Sequence, residues 1–269
     1  MSPAPTPPAA LRGIGFRTIG YRNFPAEQAI ERIAAIGYQG VEVCLEHPGL
    51  TPERLDEGRC AALAGVAADC GVALATVSYH GDHDPLPLRW QRALRAVELT
   101  PAFGCEVLIV NSPRPGSEAP DDLARQFHRQ LAHQLARASA LGVTLALEPE
   151  PGLLVDGCTQ MQALLERMGS NALGVNLDVG HAALTEPDVS GAIALLGGHI
   201  VAVHVEDIAD GVHRHLVPGT GEMDLAAILG ALRAAGFCGW LTVDLFDIAD
   251  APDQAARASL AYLRRLVTS

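Results

Sequence analysis

The sequence predicts a (β/α)8 TIM barrel, an α/β fold in a single domain. Eight short apolar segments alternate with amphipathic ones, and 269 residues with 49% hydrophobic side chains suffice for one barrel and its core. A doubly wound open sheet is the main competitor, but no Gly-x-Gly-x-x-Gly sequence follows an early strand. The barrel is expected over residues 11–269, and the Pro/Ala-rich residues 1–10 are predicted to form a disordered leader.

The predicted strands are runs of apolar or β-branched residues, most of them introduced by a glycine-containing turn. In chain order they are RGIGFRTIG, GVEV, GVALATVSY, CEVLIVNS, GVTLALE, LGVNLDV, IVAVHVE and WLTVDLF. The first predicted helix lies between Pro25, which suits a first turn, and Gly37, which suits a C-cap. Ile30, Ile33 and Ile36 share one face of it. Similar patterns predict helices over 52–69, 88–103, 121–141, 159–168, 189–196, 225–235 and 253–266.

The composition of the chain limits which kinds of partner and substrate it can bind. The net charge of −12 disfavours nucleic acid, because binding phosphates requires a basic face. No apolar stretch is long enough to cross a membrane, and the start of the chain lacks the features of a secretory signal, so we expect a cytoplasmic protein with a small polar substrate. Six scattered cysteines without a C-x-x-C pair indicate reduced thiols. Barrel enzymes often associate, which leaves a homo-oligomer open.

Polar side chains end four of the predicted strands. The ends carry Glu148 with Glu150, Asp178 with His181, His204 with Glu206, and Asp244. In a barrel the carboxyl ends of the strands open on one rim, so these groups are expected to meet in one pocket. Carboxylate and imidazole donors together predict a site for one divalent metal ion, Mn²⁺, Mg²⁺, Co²⁺ or Zn²⁺.

The motifs LALEPE, NLDVGHA, VAVHVED, HRHLVPGTGEMD and LTVDLF follow one another in the chain. In this order they resemble the xylose-isomerase-like superfamily of sugar isomerases and epimerases, over nearly the whole chain. Members include ketose 3-epimerases, hydroxypyruvate isomerases and keto-inositol isomerases. The resemblance implies metal ligands at Glu148, Asp178 and His204, with Asp244 in the fourth ligand position. It also implies substrate contacts from two residues, His181 and His215.

Two positions depart from that family. Its members generally carry glutamate on the last strand, whereas Asp244 is shorter by one methylene, about 1.5 Å of reach. The loop residue that binds sugar hydroxyls is an arginine in some epimerases; here the closest position is His215, with Arg214 beside it as a candidate substrate contact. Substrate preference is expected to differ accordingly.

The chemistry that this site predicts is proton transfer next to a carbonyl. Such a step needs a base at the C–H bond and stabilisation of the enediolate, which a divalent cation provides as a Lewis acid. Glu148 and Asp244 are the expected catalytic pair. Return of the proton to the opposite face gives epimerisation, and return to the neighbouring carbon gives isomerisation.

Further rim residues have two interpretations each. Glu42 would orient a ligand or contact substrate, or form a salt bridge at the rim. His80 would contact substrate or belong to a turn. Glu150 points to the same side as Glu148 and is the alternative ligand or a substrate contact. His181 would contact substrate or cap the helix after strand six.

Several functions share these residues. The leading prediction is a metal-dependent isomerase or epimerase of a small ketose or keto-polyol. A sugar or keto-inositol dehydratase would use the same metal and base to expel a β-hydroxyl. An abasic-site endonuclease-like phosphodiesterase would add a metal at His181, His213 and His215, but Asn111 stands where such enzymes carry another histidine. A non-catalytic binding barrel is supported by the short Asp244.

Overall fold

Eight parallel strands close into a barrel in sequence order, which confirms the predicted fold. The structure, a computed structural model, describes residues 11–116 and 120–268, so the predicted leader lies outside the described residues. The strands are β1 (Gly13–Arg17), β2 (Gly40–Cys44), β3 (Ala73–Ser78), β4 (Val107–Asn111), β5 (Thr144–Glu148), β6 (Leu173–Asp178), β7 (Ile200–Val205) and β8 (Trp240–Val243). Pairing of β1 with β8 closes the ring.

Helices surround the barrel and cover the outer face of the sheet. They are α1 (Ala26–Ile36), α2 (Glu57–Asp69), α3 (Leu86–Leu99), α4 (Pro120–Leu141), α5 (Cys158–Met168), α6 (Val179–Thr185), α7 (Val189–Leu196), α8 (Leu225–Ala234) and α9 (Pro252–Thr268). Their apolar faces and the strands enclose the core, in which leucine, valine and alanine predominate. None of the described helices combines the length and the apolar character that crossing a membrane requires.

Two predicted helices are shorter than expected. The helix predicted from Pro52 begins only at Glu57, because the Asp56 carboxylate accepts a hydrogen bond from the Arg59 amide at 2.7 Å and caps the first turn there. The helix predicted to reach Phe103 ends at Leu99. Pro101 has no amide hydrogen to continue the helical bonding, and a 3-10 turn follows over Thr100–Phe103.

Helix α6 was not predicted as a separate element, because its first residue belongs to the apolar run LGVNLDV. Strand β6 ends at Asp178, whose carboxylate accepts a hydrogen bond from the His181 amide at 2.7 Å and thereby starts the helix. The strand therefore changes to a helix within one residue. This change keeps His181 buried beside the rim.

Candidate functional site

A cavity of about 370 Å³ opens at the carboxyl ends of the strands. Its lining is mostly ionisable: Arg17, Cys44, Glu46, His80, Asp82, His83, Glu148, Glu150, His181, His213, His215 and Asp244, with Ile19 and Phe246 as apolar members. Three of the predicted residues, Glu42, Asp178 and His204, do not line the cavity and are at most 1% exposed. The barrel thus brings together residues at or just after the ends of seven strands at one site.

His204 is at the centre of this arrangement. Its Nε2 lies 2.9 Å from Glu42 Oε2, which also accepts a hydrogen bond from the Thr76 hydroxyl at 2.7 Å. Its Nδ1 lies 3.2 Å from Glu148 Oε2 and 3.7 Å from Asp244 Oδ2. Glu42 therefore fixes the imidazole, and the second ring nitrogen is directed at the two predicted catalytic carboxylates.

The donor atoms fit a divalent metal ion. One ligand atom each from Asp178, His204 and Asp244 lie within 4.8 Å of one another, as do atoms of Glu148, Asp178 and His181. Within the described part of the chain, Asp178 Oδ2, His204 Nδ1 and Asp244 Oδ1 are buried without a hydrogen-bond partner. Buried lone pairs without partners are costly, and a cation among them would satisfy all three.

The two predicted catalytic carboxylates are held in their ionised form. Burial opposes ionisation of Asp244, but Arg17 and His204 outweigh it and lower the Asp244 pKa to about 2. Burial likewise opposes ionisation of Glu148, and the neighbouring His204 and His80 bring the pKa of Glu148 well below its ordinary value. Both carboxylates are therefore charged at neutral pH, as a metal ligand or a general base requires.

Arg17, the last residue of β1, has no function assigned from the sequence. In the structure its Nε lies 3.0 Å from Glu42 Oε1, and its Nη1 donates to Asp244 Oδ2 at 2.9 Å. Glu42 is thus both the salt-bridge partner and the residue that orients His204, and its burial away from the cavity does not suit a substrate contact. The signal for Arg17 was a charged residue ending an apolar strand.

Helix α6 supplies the next part of the site. The Nδ1 atom of His181 lies 3.2 Å from the Pro149 carbonyl oxygen and 3.4 Å from Glu148 Oε1, and the ring lines the cavity. Asp178, and not His181, caps the helix. A Cβ at Gly180 would lie 2.0 Å from Glu206 Oε1, so the glycine of the motif makes room for that carboxyl group.

Glu206 and Asp207, which follow His204 at the end of β7, are both buried. Glu206 accepts a hydrogen bond from the Gly180 amide at 2.6 Å, and burial and the nearby Asp178 raise its pKa well above the ordinary value. Asp207 accepts hydrogen bonds from the amides of Gly219 at 2.8 Å and Met223 at 3.1 Å. It therefore fixes the loop after β7, which carries the remaining histidines.

This loop places His215 and His213 at the cavity. The Nδ1 atom of His215 lies 2.9 Å from the Asp244 carbonyl oxygen, and its ring packs on Phe246. Ligand atoms of His181, His213 and His215 lie within 4.8 Å of one another. Arg214, predicted as a substrate contact, is exposed on the loop and does not line the cavity, because alternate residues of this segment face outward.

His80 and Glu150 both line the cavity. His80 Nε2 lies 3.5 Å from Glu148 Oε2, and Arg17 Nη2 lies 3.2 Å from His80 Nδ1. Glu150 accepts a hydrogen bond from the Asn111 amide group at 2.9 Å and belongs to none of the candidate metal clusters of the described residues. Glu148, and not Glu150, therefore faces His204.

Comparison with known proteins agrees with this geometry. The family described as "Xylose isomerase-like TIM barrel" matches residues 30–266. The chain belongs to this family. The match confirms the resemblance drawn from the sequence motifs, and it covers the strand-end residues of β2 to β8.

Individual relatives are sugar epimerases. An L-ribulose 3-epimerase of Mesorhizobium japonicum is 31% identical over 249 residues, which are 87% of this chain and 81% of that protein. An L-ribulose-5-phosphate 3-epimerase of Escherichia coli is 28% identical over 144 residues, 54% of this chain and 50% of that protein. A solved L-ribulose 3-epimerase structure superimposes with a TM-score of 0.76 at 23% identity, covering 95% of this chain and 94% of that one. The chain is therefore related to sugar epimerases.

Proposed function

We propose that the protein is a metal-dependent 3-epimerase of a small, unphosphorylated ketose. One observation carries the proposal: two ionised carboxylates, Glu148 on β5 and Asp244 on β8, approach the same His204 nitrogen at 3.2 and 3.7 Å from strands that are not neighbours. Two bases on separate strands are what removal of a proton on one face and its return on the other require. The L-ribulose 3-epimerase relative supports this reaction class.

Different side chains would bind the metal ion, transfer the proton and hold the sugar. Glu148, Asp178, His204 and Asp244 would hold the ion, which would act as a Lewis acid and stabilise negative charge developing on the substrate oxygens. One of the two carboxylates takes the proton from C3 of the ketose. The other, ionised in the resting site, first takes up a proton from solvent in the open cavity and delivers it to the opposite face of C3, after which the first carboxylate releases its proton to solvent. His181, at the cavity surface, donates a hydrogen bond to a sugar oxygen and holds the substrate between them.

The charge of the lining supports an unphosphorylated sugar. Among the described residues, Arg17 is the one arginine at the cavity, and its guanidinium is already paired with Glu42 and Asp244. The remaining ionisable lining consists of imidazoles, one thiol and four further carboxylates, and the carboxylates repel a phosphate dianion. Phe246 and Ile19 offer an apolar surface to the C–H face of a sugar. We therefore expect a neutral ketose, as in the name of the L-ribulose 3-epimerase, and not a phosphorylated one, as in the name of the L-ribulose-5-phosphate 3-epimerase.

The cluster of His181, His213 and His215 favours a second candidate, a phosphodiesterase with an additional metal ion. Burial and the two neighbouring histidines lower the pKa of His213 to about 4, so the ring is neutral and able to ligate. The net charge of −12 argues against a nucleic-acid substrate. About one ion per chain supports the epimerase, and two or more support the phosphodiesterase.

Incubation of ketoses in D₂O with the metal-loaded protein tests the proposal. We expect deuterium at C3 of the recovered ketose together with the C3 epimer, read by NMR. Exchange at C1 with aldose formation would indicate an isomerase, and loss of water would indicate a dehydratase. A protein that binds metal and ketose without any exchange would be a binding barrel. The cytoplasmic location and the homo-oligomer stay predictions.

A further inference from the structure

A buried arginine lies within the group of candidate metal ligands. Arg17 ends β1, is 6% exposed, and contacts carboxylates on the strands at either side. Its Nη1 donates to Asp244 on the β8 side, and its Nε lies 3.0 Å from Glu42 on β2 and 3.3 Å from the Ser78 hydroxyl. The fork of guanidinium donors therefore joins two carboxylates in one fixed plane.

The two carboxylates reach the metal site by different routes. Asp244 is a candidate ligand itself, with Oδ1 buried and unpartnered within the described part of the chain. Glu42 reaches the site through His204, whose Nε2 lies 2.9 Å from Glu42 Oε2. Arg17 thus fixes one candidate ligand directly and a second one through Glu42.

We propose that Arg17 is a positioning residue for the metal site and that its presence is the reason why residue 244 is aspartate. The inference rests on the proposed metal-dependent function. At Asp244 the carboxylate meets the guanidinium at 2.9 Å while Oδ1 remains free for a ligand. A glutamate, about 1.5 Å longer, would carry its carboxylate past this contact or into the guanidinium. Arginine on β1 and the short acid on β8 form a matched pair.

A double-mutant cycle tests this pairing. The variants are Arg17→Met, Asp244→Glu and the two combined, and the primary measurement is the Kd of the metal-free proteins for Mn²⁺ by calorimetry. We expect each single variant to weaken Mn²⁺ binding about tenfold to hundredfold, the size typical of residues that orient metal ligands. In the combined variant the methionine leaves room for glutamate, and the Kd should return to within about threefold of wild type.

Controls separate positioning from folding. Arg32→Met removes an Arg–Asp contact of 2.7 Å to Asp253, away from the site, and should leave the Mn²⁺ Kd unchanged. Arg17→Lys keeps the charge without the planar fork and should fall between wild type and Arg17→Met. Thermal unfolding of each metal-free variant reports whether it is folded at the temperature of the titration.

Additive losses in the combined variant, or an Arg17→Met protein that binds Mn²⁺ as wild type does, would overturn the proposal. Because the Mn²⁺ measurement requires no sugar, it is independent of the reaction catalysed. Matched pairing without ketose turnover would leave the proposal standing and remove the epimerase assignment. Ketose turnover by the wild-type protein, together with additive losses in the double-mutant cycle, would support the epimerase assignment and overturn the pairing.

Discussion

The acidic residues at the ends of β5 and β6 each accept a hydrogen bond from an uncharged amide, whereas Glu42 in β2 and Asp244 after β8 are paired with a buried arginine. We call Glu148, Asp178 and His204 the ligand wall. Within it, the Asn176 amide group donates to Glu148 at 2.7 Å and the His181 backbone amide donates to Asp178 at 2.7 Å. Neutral donors orient these carboxylates without cancelling their charge.

The other side of the site, the arginine wall, consists of Arg17, Glu42 and Asp244. Here one guanidinium compensates two carboxylates, and all three side chains are at most 7% exposed. Burying a charge is costly unless it is well paired, so the geometry of this wall is set by the ion pairs. The comparison indicates that the carboxylates of the ligand wall offer their negative charge to the metal ion, whereas the arginine wall holds its carboxylates in fixed positions. The predictions below test that division.

The largest expected effect lies in the ligand wall. His204→Ala and Asp178→Ala should each lose bound metal, because a cation that loses one of its four ligands is poorly satisfied, and turnover should fall at least about a thousandfold. The measurement is metal content by mass spectrometry together with deuterium exchange. His199→Ala changes an exposed histidine ahead of β7 and serves as control. Unchanged metal content in both site variants would remove these residues from the metal site.

The arginine wall should respond differently to loss of a charge. Asp244→Asn should keep the fold, since the amide oxygen still accepts from Arg17 and Glu42 still offsets the guanidinium. Deuterium exchange should fall about a hundredfold to ten-thousandfold, the contribution of one general base. Circular dichroism and exchange on the same sample provide the comparison. Wild-type exchange in this variant would leave Glu148 or Glu150 as a single base and favour an isomerase.

The ligand wall was the more predictable of the two from the sequence. Its residues end apolar strands that all point the same way in a barrel, so convergence follows from the fold alone. The role of Arg17 could not be found in the same way, because its partner Asp244 is 227 residues away and becomes a neighbour only when β1 pairs with β8. Long-range ion pairs leave no local pattern in one sequence.

Two adjacent acidic residues have different hydrogen-bond partners, and their spacing in the sequence does not reveal which. Glu206 and Asp207 are neighbouring acids after one strand, yet Glu206 contacts the Gly180 amide and Asp207 binds the amides of its own loop. Their side chains point to opposite sides of the strand. The partner of Glu206 belongs to α6, and the partners of Asp207 belong to the loop after β7. The sequence could indicate that a carboxylate was present but not which amides would surround it.

A smaller effect is expected at His181, which belongs to the ligand wall side but lines the cavity. His181→Ala should lower kcat/KM about tenfold to hundredfold, the cost of one hydrogen bond to a polar substrate, while metal stoichiometry stays near wild type. Steady-state kinetics and metal analysis on the same preparation decide the matter. Loss of metal from this variant would place His181 among the ligands and extend the ligand wall onto α6.

The smallest expected effect concerns Cys44, a thiol 3.7 Å from Arg17 in the arginine wall. An uncommitted guanidinium would favour the thiolate, but here burial outweighs Arg17 and raises the Cys44 pKa to about 12. Because the raised pKa keeps the thiol protonated below that pH, iodoacetamide at pH 8 should leave Cys44 unmodified while the exposed Cys70 and Cys238 are alkylated. Peptide mass mapping gives the result, and urea-unfolded protein serves as the positive control. If Cys44 of the native protein were labelled at the rate of the exposed thiols, the two carboxylates would not neutralise the charge of Arg17. The distinction between the two walls would then be wrong.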